Sequence, residues 1–323
     1  MLDLSPASTV RSAIDLACMA PSVHNSQPWR WLVGPHIVHL FADLRRWLPA
    51  TDPDGRDMVI SCGAALDHLR IALQASGHRP AVHRLPNSAD GDHLAAVELR
   101  SDQYADADLS LVNAIPARRS DRRPYGSWPV PAAFVDELVA AGNGRGALVH
   151  LVEPGERPAV VRAIREAEAV QAAQPGYDTE LALWSGAVAG PDGVPAANLL
   201  ADPAAGGPAS RRFAPGSVTP APGRSDDAAE LLIIATSSDD AMSWLRAGEA
   251  VSAIALRAVD LGLASCPLSA PLEVPATRVA LRDGVLGGAA MPQVALRVGW
   301  PPPGSLPRTP RRSLDDVIAE MTV

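Results

Sequence analysis

Cys62-Gly-Ala-Ala-Leu-Asp-His-Leu-Arg-Ile-Ala-Leu-Gln-Ala-Ser-Gly77 and Ala247-Gly-Glu-Ala-Val-Ser-Ala-Ile-Ala-Leu-Arg-Ala-Val-Asp-Leu-Gly262 align without a gap, at a constant offset of 185 residues. Both pairs of glycines coincide, and Leu66, Leu69 and Ile71 fall on Val251, Ile254 and Leu256. Apolar residues at this spacing make one stripe of a helix, and a glycine just beyond the stripe is the usual helix stop. A glycine near the start, Gly63 over Gly248, suits close packing. The pairing reads as an internal duplication: two similar half-folds within one chain, a covalent version of a symmetric dimer.

Outward from these helices the chain reads as a first set of elements, with a helix over 8–20 stopped by Pro21, strands over 29–33 and 37–41, the helix over 57–76, and strands over 82–85 and 94–99. A second set follows the acidic stretch around Asp106. It has helices over 109–115, 131–141 and 157–173, strands over 147–152 and 231–235, the helix over 241–261 and a strand over 293–298. Strands and helices mix without strict alternation, which predicts an α+β fold with halves over 1–103 and 104–323.

The 323 residues carry 28 basic groups, all Arg, against 36 acidic ones, for a net charge of −8. No chain-wide basic field exists for a nucleic-acid backbone, so no nucleic-acid partner is expected. No apolar run approaches the ~18–20 residues of a membrane span, and the start lacks the pattern of a secretory signal, so a soluble, cytoplasmic protein is the expectation. Cys18, Cys62 and Cys266 are too scattered for a zinc ribbon or a disulfide framework and read as buried thiols. His36 and His39 lie three apart in a strand pattern and point to opposite faces, so no metal site is expected from them.

Residues 186–223 hold seven Gly and seven Pro in 38 positions, too many for a regular element. Such a loop is a floppy insertion or a lid, and Leu199, Leu200, Phe213 and the pair Arg211-Arg212 give a lid something to dock with. Two arginine clusters stand out, Arg118-Arg119-Ser120-Asp121-Arg122-Arg123 and Arg308-Thr309-Pro310-Arg311-Arg312-Ser313. Converging guanidinium forks beside a hydroxyl suit a phosphate; two solvated loops are the plainer alternative. Ala20-Pro21-Ser22-Val23-His24-Asn25-Ser26-Gln27-Pro28-Trp29 sets hydroxyl and amide groups between two prolines, which suits the edge of a planar heterocycle or a structural turn. Phosphate-loop, nucleophile-elbow, His-Glu-x-x-His and dinucleotide-binding glycine motifs are absent.

The Pro21 to Trp29 stretch resembles the Pro-Ser-x-x-Asn-x-Gln-Pro-Trp segment of the nitroreductase family of FMN flavoproteins. Arg118-Arg119-Ser120-Asp121-Arg122 is similar to that family's Arg-x-Ser-x-Arg/Lys element, Leu261-Gly262-Leu263-Ala264-Ser265-Cys266-Pro267-Leu268-Ser269 to its segment beside the flavin ring, and Arg308-Thr309-Pro310-Arg311-Arg312 to its C-terminal basic residues. In such dimers each site takes one element from each subunit. Here each half keeps only one: the first has no arginine cluster, and the second runs from Gly142 into its strand without a Pro-Ser-x-x-Asn segment. With the duplication and the insertion this resembles the Acg group of fused pseudo-dimers with a lid. The resemblance implies a nitroreductase-like α+β fold with one composite FMN site. It places Arg118, Arg119, Ser120, Arg122, Arg308, Arg311 and Arg312 around the phosphate and ribityl chain, Ser22 and Asn25 at the ring edge, and Pro267, Leu268 and Ser269 along the ring. No side chain is expected to act as acid, base or nucleophile.

The resemblance implies reduction of the flavin by NAD(P)H and ping-pong transfer to a small nitroaromatic or quinone-type acceptor, in a monomer. The same residues would serve a protein that sequesters FMN behind a lid with little nicotinamide turnover, or, if degenerate, one that binds no flavin and acts through partners.

Overall fold

The protein is described by a computed structural model over residues 6–100, 107–186, 192–206, 213–219 and 227–321. Among them the first half runs α1 (Pro6–Ala17), β1 (Trp29–Val33), β2 (Ile37–Ala42), α2 (Arg56–Ala75), β3 (Arg79–Arg84) and β4 (His93–Arg100). The second runs α3 (Leu109–Ala117), α4 (Ala132–Asn143), β5 (Leu148–Leu151), α5 (Arg157–Ala173), α6 (Tyr177–Trp184), β6 (Glu230–Thr236), α7 (Ala241–Asp260) and β7 (Ala264–Leu268). After these come α8 (Ala270–Glu273), α9 (Pro275–Gly284), β8 (Met291–Gly299), α10 (Leu314–Val317) and β9 (Ile318–Glu320). The architecture is α+β.

The duplication is written in the topology. One sheet has the order β3-β4-β2-β1 and the other β7-β8-β6-β5, antiparallel throughout, so strand for strand the two match. Even the irregularity repeats: the register slips between Leu40 and Phe41 where β2 meets β4, and between Ile234 and Ala235 where β6 meets β8. The ends of α2 and α7 are capped alike. Gly77 and Gly262 take φ of +84° and +74°, and the amides of His78 and Leu263 donate to the carbonyls of Leu73 and Ala258, six-to-one bonds that satisfy the orphaned last turn.

α2 and α7 cross at the centre, and the contact is reciprocal. A Cβ added to Gly63 would overlap the Leu245 carbonyl, and one added to Gly248 would overlap that of Ile60, whose sequence equivalent is Leu245. Each helix therefore offers the other a glycine at one position and a backbone at the next, as a two-fold axis demands. Near that axis Ser252 Oγ donates to its own equivalent, Asp67, at 2.7 Å. On either side of the crossing lie two cores. In one, α1 and α2 pack on β1, β2 and β4 through Ile14, Trp29, Trp31, Leu40 and Leu66. The other packs α4 and α7 on β6 and β8 through Leu138, Ile254, Leu232 and Val298.

Among the described residues the halves differ at two places. β9 crosses back and adds to β1 in parallel, Trp31 opposite Ile318, so the C-terminal tail is tied to the first sheet. Between β5 and β6 stand α5, α6 and the Gly/Pro-rich stretch, where β1 and β2 are joined by a tight turn. β7, the counterpart of β3, is a strand where the sequence reading placed no element. Its Pro267 is tolerated because β7 is a sheet edge, where a missing amide breaks no ladder. Arg211 and Arg212 lie outside the described residues.

Candidate functional site

The outer edge of β7 is not bare. Ser120 bridges to Ser265 in parallel, and the amide of Asp121 donates to the Ser265 carbonyl at 3.0 Å, which lays the arginine loop along the strand. Within that loop Arg123 is consumed: its Nε and Nη2 donate to the Asp121 carboxylate at 2.7–3.2 Å, and its Nη1 to the carbonyls of Pro303 and Gly304. This internal clamp holds Ser120 and Arg122 toward the interior.

The Ser22 loop arrives from the other half, over the end of α1. His24, Asn25 and Gln27 all take positive φ, of 47°, 56° and 51°, a conformation that non-glycine residues adopt only when the surroundings force it. Three hydrogen bonds hold the loop in this conformation. The Gln27 amide donates to Ser22 Oγ at 3.0 Å, Gln27 Nε2 to the Asn25 carbonyl at 3.2 Å, and the Val23 amide to Ser61 Oγ at 3.1 Å.

Where these loops meet lie two adjoining cavities. The smaller, about 430 Å³, is lined by Ser22, Asn25, Arg118, Arg119, Ser120, Arg122, Thr309 and Arg311. The larger, about 910 Å³ and partly open, is lined by Ser22, Val23 and His24, by Asp57, Ile60, Ser61 and Ala64 of α2, and by Cys266, Pro267, Leu268 and Ser269 at the end of β7. Ser22, Ser120 and Arg122 belong to both, so one elongated ligand with a charged end would span them.

The smaller cavity is strongly basic. Arg118 is buried, and burial together with the neighbouring Arg311 guanidinium pulls its pKa down to about 9; burial brings Arg311 to about 10. Arg119 is lowered too, by burial and then by Arg308. Arg118 Nη2 reaches the Met19 carbonyl at 3.2 Å, Arg119 Nη1 the carbonyls of Pro116 and Arg118, and the Nε of both is buried with no acceptor. Arg311 is held by the carbonyls of Cys18, Met19 and Ala20 at the end of α1, a favourable place for a cation, and its Nη1 donates to Asn25 Oδ1 at 2.9 Å. Among the described residues no carboxylate pairs with these three arginines, in contrast to Arg123 and Arg312.

The expectation for the C-terminal arginines is thereby narrowed. Arg308 is exposed and lines neither cavity. Arg312 turns away into the Gln27 loop, donating to the carbonyls of Gln27 and Asp316 with the Asp43 carboxylate 3.6 Å off. Asn25 belongs to the basic cavity and not to the larger one. Its Nδ2 is spent on the carbonyls of Gly193 and Pro310. The reading missed the α2 wall, whose polar members Asp57 and Ser61 look in the sequence like ordinary helix positions. From the insertion, Phe213 lines the larger cavity, with the Arg122 guanidinium 4.8 Å over its ring and the His24 ring edge-on at 5.6 Å. Val194, Leu199 and Phe213 pack as a small cluster of their own with Leu181.

No family model matches the chain. A Mycobacterium tuberculosis protein provisionally named NAD(P)H nitroreductase is 41% identical over 321 residues, 97% of this chain and 91% of its own. The protein named Acg of the same organism, with the same provisional description, is 35% identical over 95% of this chain and 94% of its own. Among solved structures, a nitroreductase with bound FMN from Bacteroides fragilis aligns with TM-score 0.40 and 16% identity over 63% of this chain and 94% of that one. No helix of the described residues is long and apolar enough to cross a membrane.

Proposed function

The chain belongs to the Acg-like group of the nitroreductase family, and from that premise we propose that its two cavities hold one flavin mononucleotide, as part of an oxidoreductase that takes electrons from NAD(P)H and passes them to a small nitroaromatic or quinone-type acceptor. The observation that carries the reading is the buried arginine cluster. Three guanidinium groups, two of them with an orphaned Nε, face a cavity without a counter-charge, a costly arrangement unless a dianion completes it. A phosphate monoester fits that donor set, and the mostly apolar larger cavity fits a planar ring.

When bound, the flavin supplies the two-electron chemistry. The chain binds and orients. Arg118, Arg119, Arg122 and Arg311 with Ser120 hold the phosphate end; Ser22 and the run Pro267, Leu268 and Ser269 border the ring; Cys266 is a spectator, its thiol pushed up by burial and so protonated at neutral pH. Since each half donates one loop, the interface that a dimer would build is internal, and a monomer in the cytoplasm completes the reading.

Phe213 supports a second reading. Seated on His24 and under Arg122, it covers part of the cavity, and Val194 of the same insertion packs beside it, as a lid would. A closed lid favours sequestration of the flavin over turnover. The visible spectrum of the FMN-loaded protein, recorded anaerobically before and after NADPH, separates the two. Rapid bleaching near ~450 nm establishes a nicotinamide-accessible reductase; a bound flavin that stays oxidised establishes sequestration, and a protein that takes up no FMN overturns both.

A further inference from the structure

Asp57 stands in the wall of the larger cavity, 3% exposed, and neither carboxylate oxygen has a hydrogen-bond donor. Arg56 lies beside it, Nη2 2.6 Å from Oδ1 but out of hydrogen-bond alignment, while the same guanidinium donates to the carbonyls of Gln293 and Leu272. A second carboxylate is close by. Asp52, also 3% exposed, accepts the amides of Asp57 and Met58 at 3.0 and 2.9 Å at the start of α2. Two buried carboxylates therefore lie near a single guanidinium, in contact with Asp57 alone, and with both ionised the trio keeps a net negative charge.

We propose that Asp52 and Asp57 form a proton-sharing pair that takes up one proton when two electrons enter the cofactor of the larger cavity. This rests on the flavin reading above. Like charges held close in a low-dielectric interior do not both ionise freely, and their protons belong to the pair. Burial, and then the charge of Asp57, push Asp52 up to about 7. Well above pH 7 the Asp52 carboxyl of the oxidised protein is ionised. A nicotinamide-class reductant delivers two electrons and one proton to the cofactor. The added negative charge then raises the pair's affinity, and a second proton passes from solvent to a carboxylate oxygen, forming one O–H bond.

The other groups facing the pair do not supply that proton. Arg56 and Arg122 are guanidinium groups without a carboxyl to protonate, and burial raises the Cys266 thiol; the Glu180 carboxylate faces away from Asp57, accepting the amides of Ala50 and Thr51. His24 shares the cavity wall and its residue type titrates near neutrality, so it is the control.

The test is the midpoint potential of the FMN-loaded protein against pH, from 8 to 9, in the wild type and in Asp57→Asn, Asp52→Asn and His24→Gln. One proton per two electrons is a tenfold change in the equilibrium per pH unit, ~30 mV. The wild type and His24→Gln are expected at two protons, ~59 mV per unit, and Asp57→Asn at one. Asp52→Asn disturbs the carboxylate cap of α2, whereas Asp57→Asn keeps that cap and loses only the Arg56 contact, so the inference stands or falls on Asp57→Asn. Equal slopes in the wild type and Asp57→Asn, or a slope lost in His24→Gln instead, overturn it. Failure to bind FMN at all defeats the flavin reading, and is seen in the visible spectrum before any potential is measured.

Discussion

The pseudo-two-fold axis makes two equivalent corners in this molecule, and they have been built to opposite ends. At one, Ala64, Ser61 and Ser269 line the large cavity. The positions 185 residues away hold Glu249, Arg246 and Arg84. There Arg84 donates through Nε and Nη2 to both oxygens of the fully buried Glu249, at 2.6 and 2.7 Å, and the space that small residues leave open on one side is filled by an ion pair on the other. The loops follow suit. The cavity corner has the strained Ser22 loop, and the filled corner has Gly142-Asn143-Gly144-Arg145-Gly146, whose Arg145 reaches the Asp67 carboxylate at 2.7 Å. A fused dimer is released from symmetry: one corner is free to fill with structure while the other keeps an open cavity.

The sharpest way to break this contrast is to remove arginines from each corner. Replacing both Arg118 and Arg311 by Ala takes away charge-assisted hydrogen bonds worth ~1.5–3 kcal/mol each, so FMN affinity should fall by about 10²-fold or more. Arg84→Ala, at the filled corner, should leave FMN affinity unchanged. Fluorescence titration with FMN reads both; equal losses would mean that the two corners are not functionally distinct.

The next largest effect is on stability. Glu249→Ala leaves the Arg84 guanidinium, about a quarter exposed, without its counter-charge, and should cost about 2–3 kcal/mol in urea unfolding. FMN stoichiometry should stay at one per chain. A variant that binds two flavins would show the filled corner to be a latent site. At the helix crossing, Gly63→Ala and Gly248→Ala each push a methyl into a facing carbonyl, and overpacking of that kind costs about 1–3 kcal/mol, partly offset by the better helix propensity of Ala. Because the contacts are reciprocal, the two losses should match; a large difference would mean that the halves relax unequally.

How much of this was legible follows from what kind of signal each part leaves. The duplication was readable because helix packing demands glycines at fixed positions, and Gly63, Gly77, Gly248 and Gly262 keep their spacing whatever the rest of the helix does. Long periodic helices and β-branched strands were readable for the same reason. β7 was not, since Ala264-Ser-Cys-Pro-Leu268 has neither alternation nor branching and becomes a strand only by pairing with β8. The arginine clusters announced a basic site, but not which members face it. Arg123 and Arg312 differ from Arg118 and Arg311 only in lying near Asp121 and Asp43, the latter distant in sequence from Arg312. Asp57 left no signal, because a buried polar residue reveals itself only once the walls around it are known.

The smallest expected effect lies on the axis itself, where the two corners meet. Burial alone would raise the Asp67 carboxyl, but Arg70 and Arg145, together with the Ser252 hydroxyl, outweigh it and hold the group below the ordinary carboxylate range. A carboxylate held low in the folded state adds stability that is fully present above its unfolded value, ~3.9, and is lost as pH falls through the folded value. Asp67→Asn should therefore be less stable than the wild type at pH 7, with the two urea curves converging toward pH 2.5. Ser252→Ala removes only a hydrogen bond to the charged group and should cost ~1–2 kcal/mol at pH 7, shrinking in acid along the same course. Curves that stay parallel down to pH 2.5 would place the stabilisation in packing rather than in charge. The axis would then be held by the glycine crossing alone, as in a dimer of identical halves.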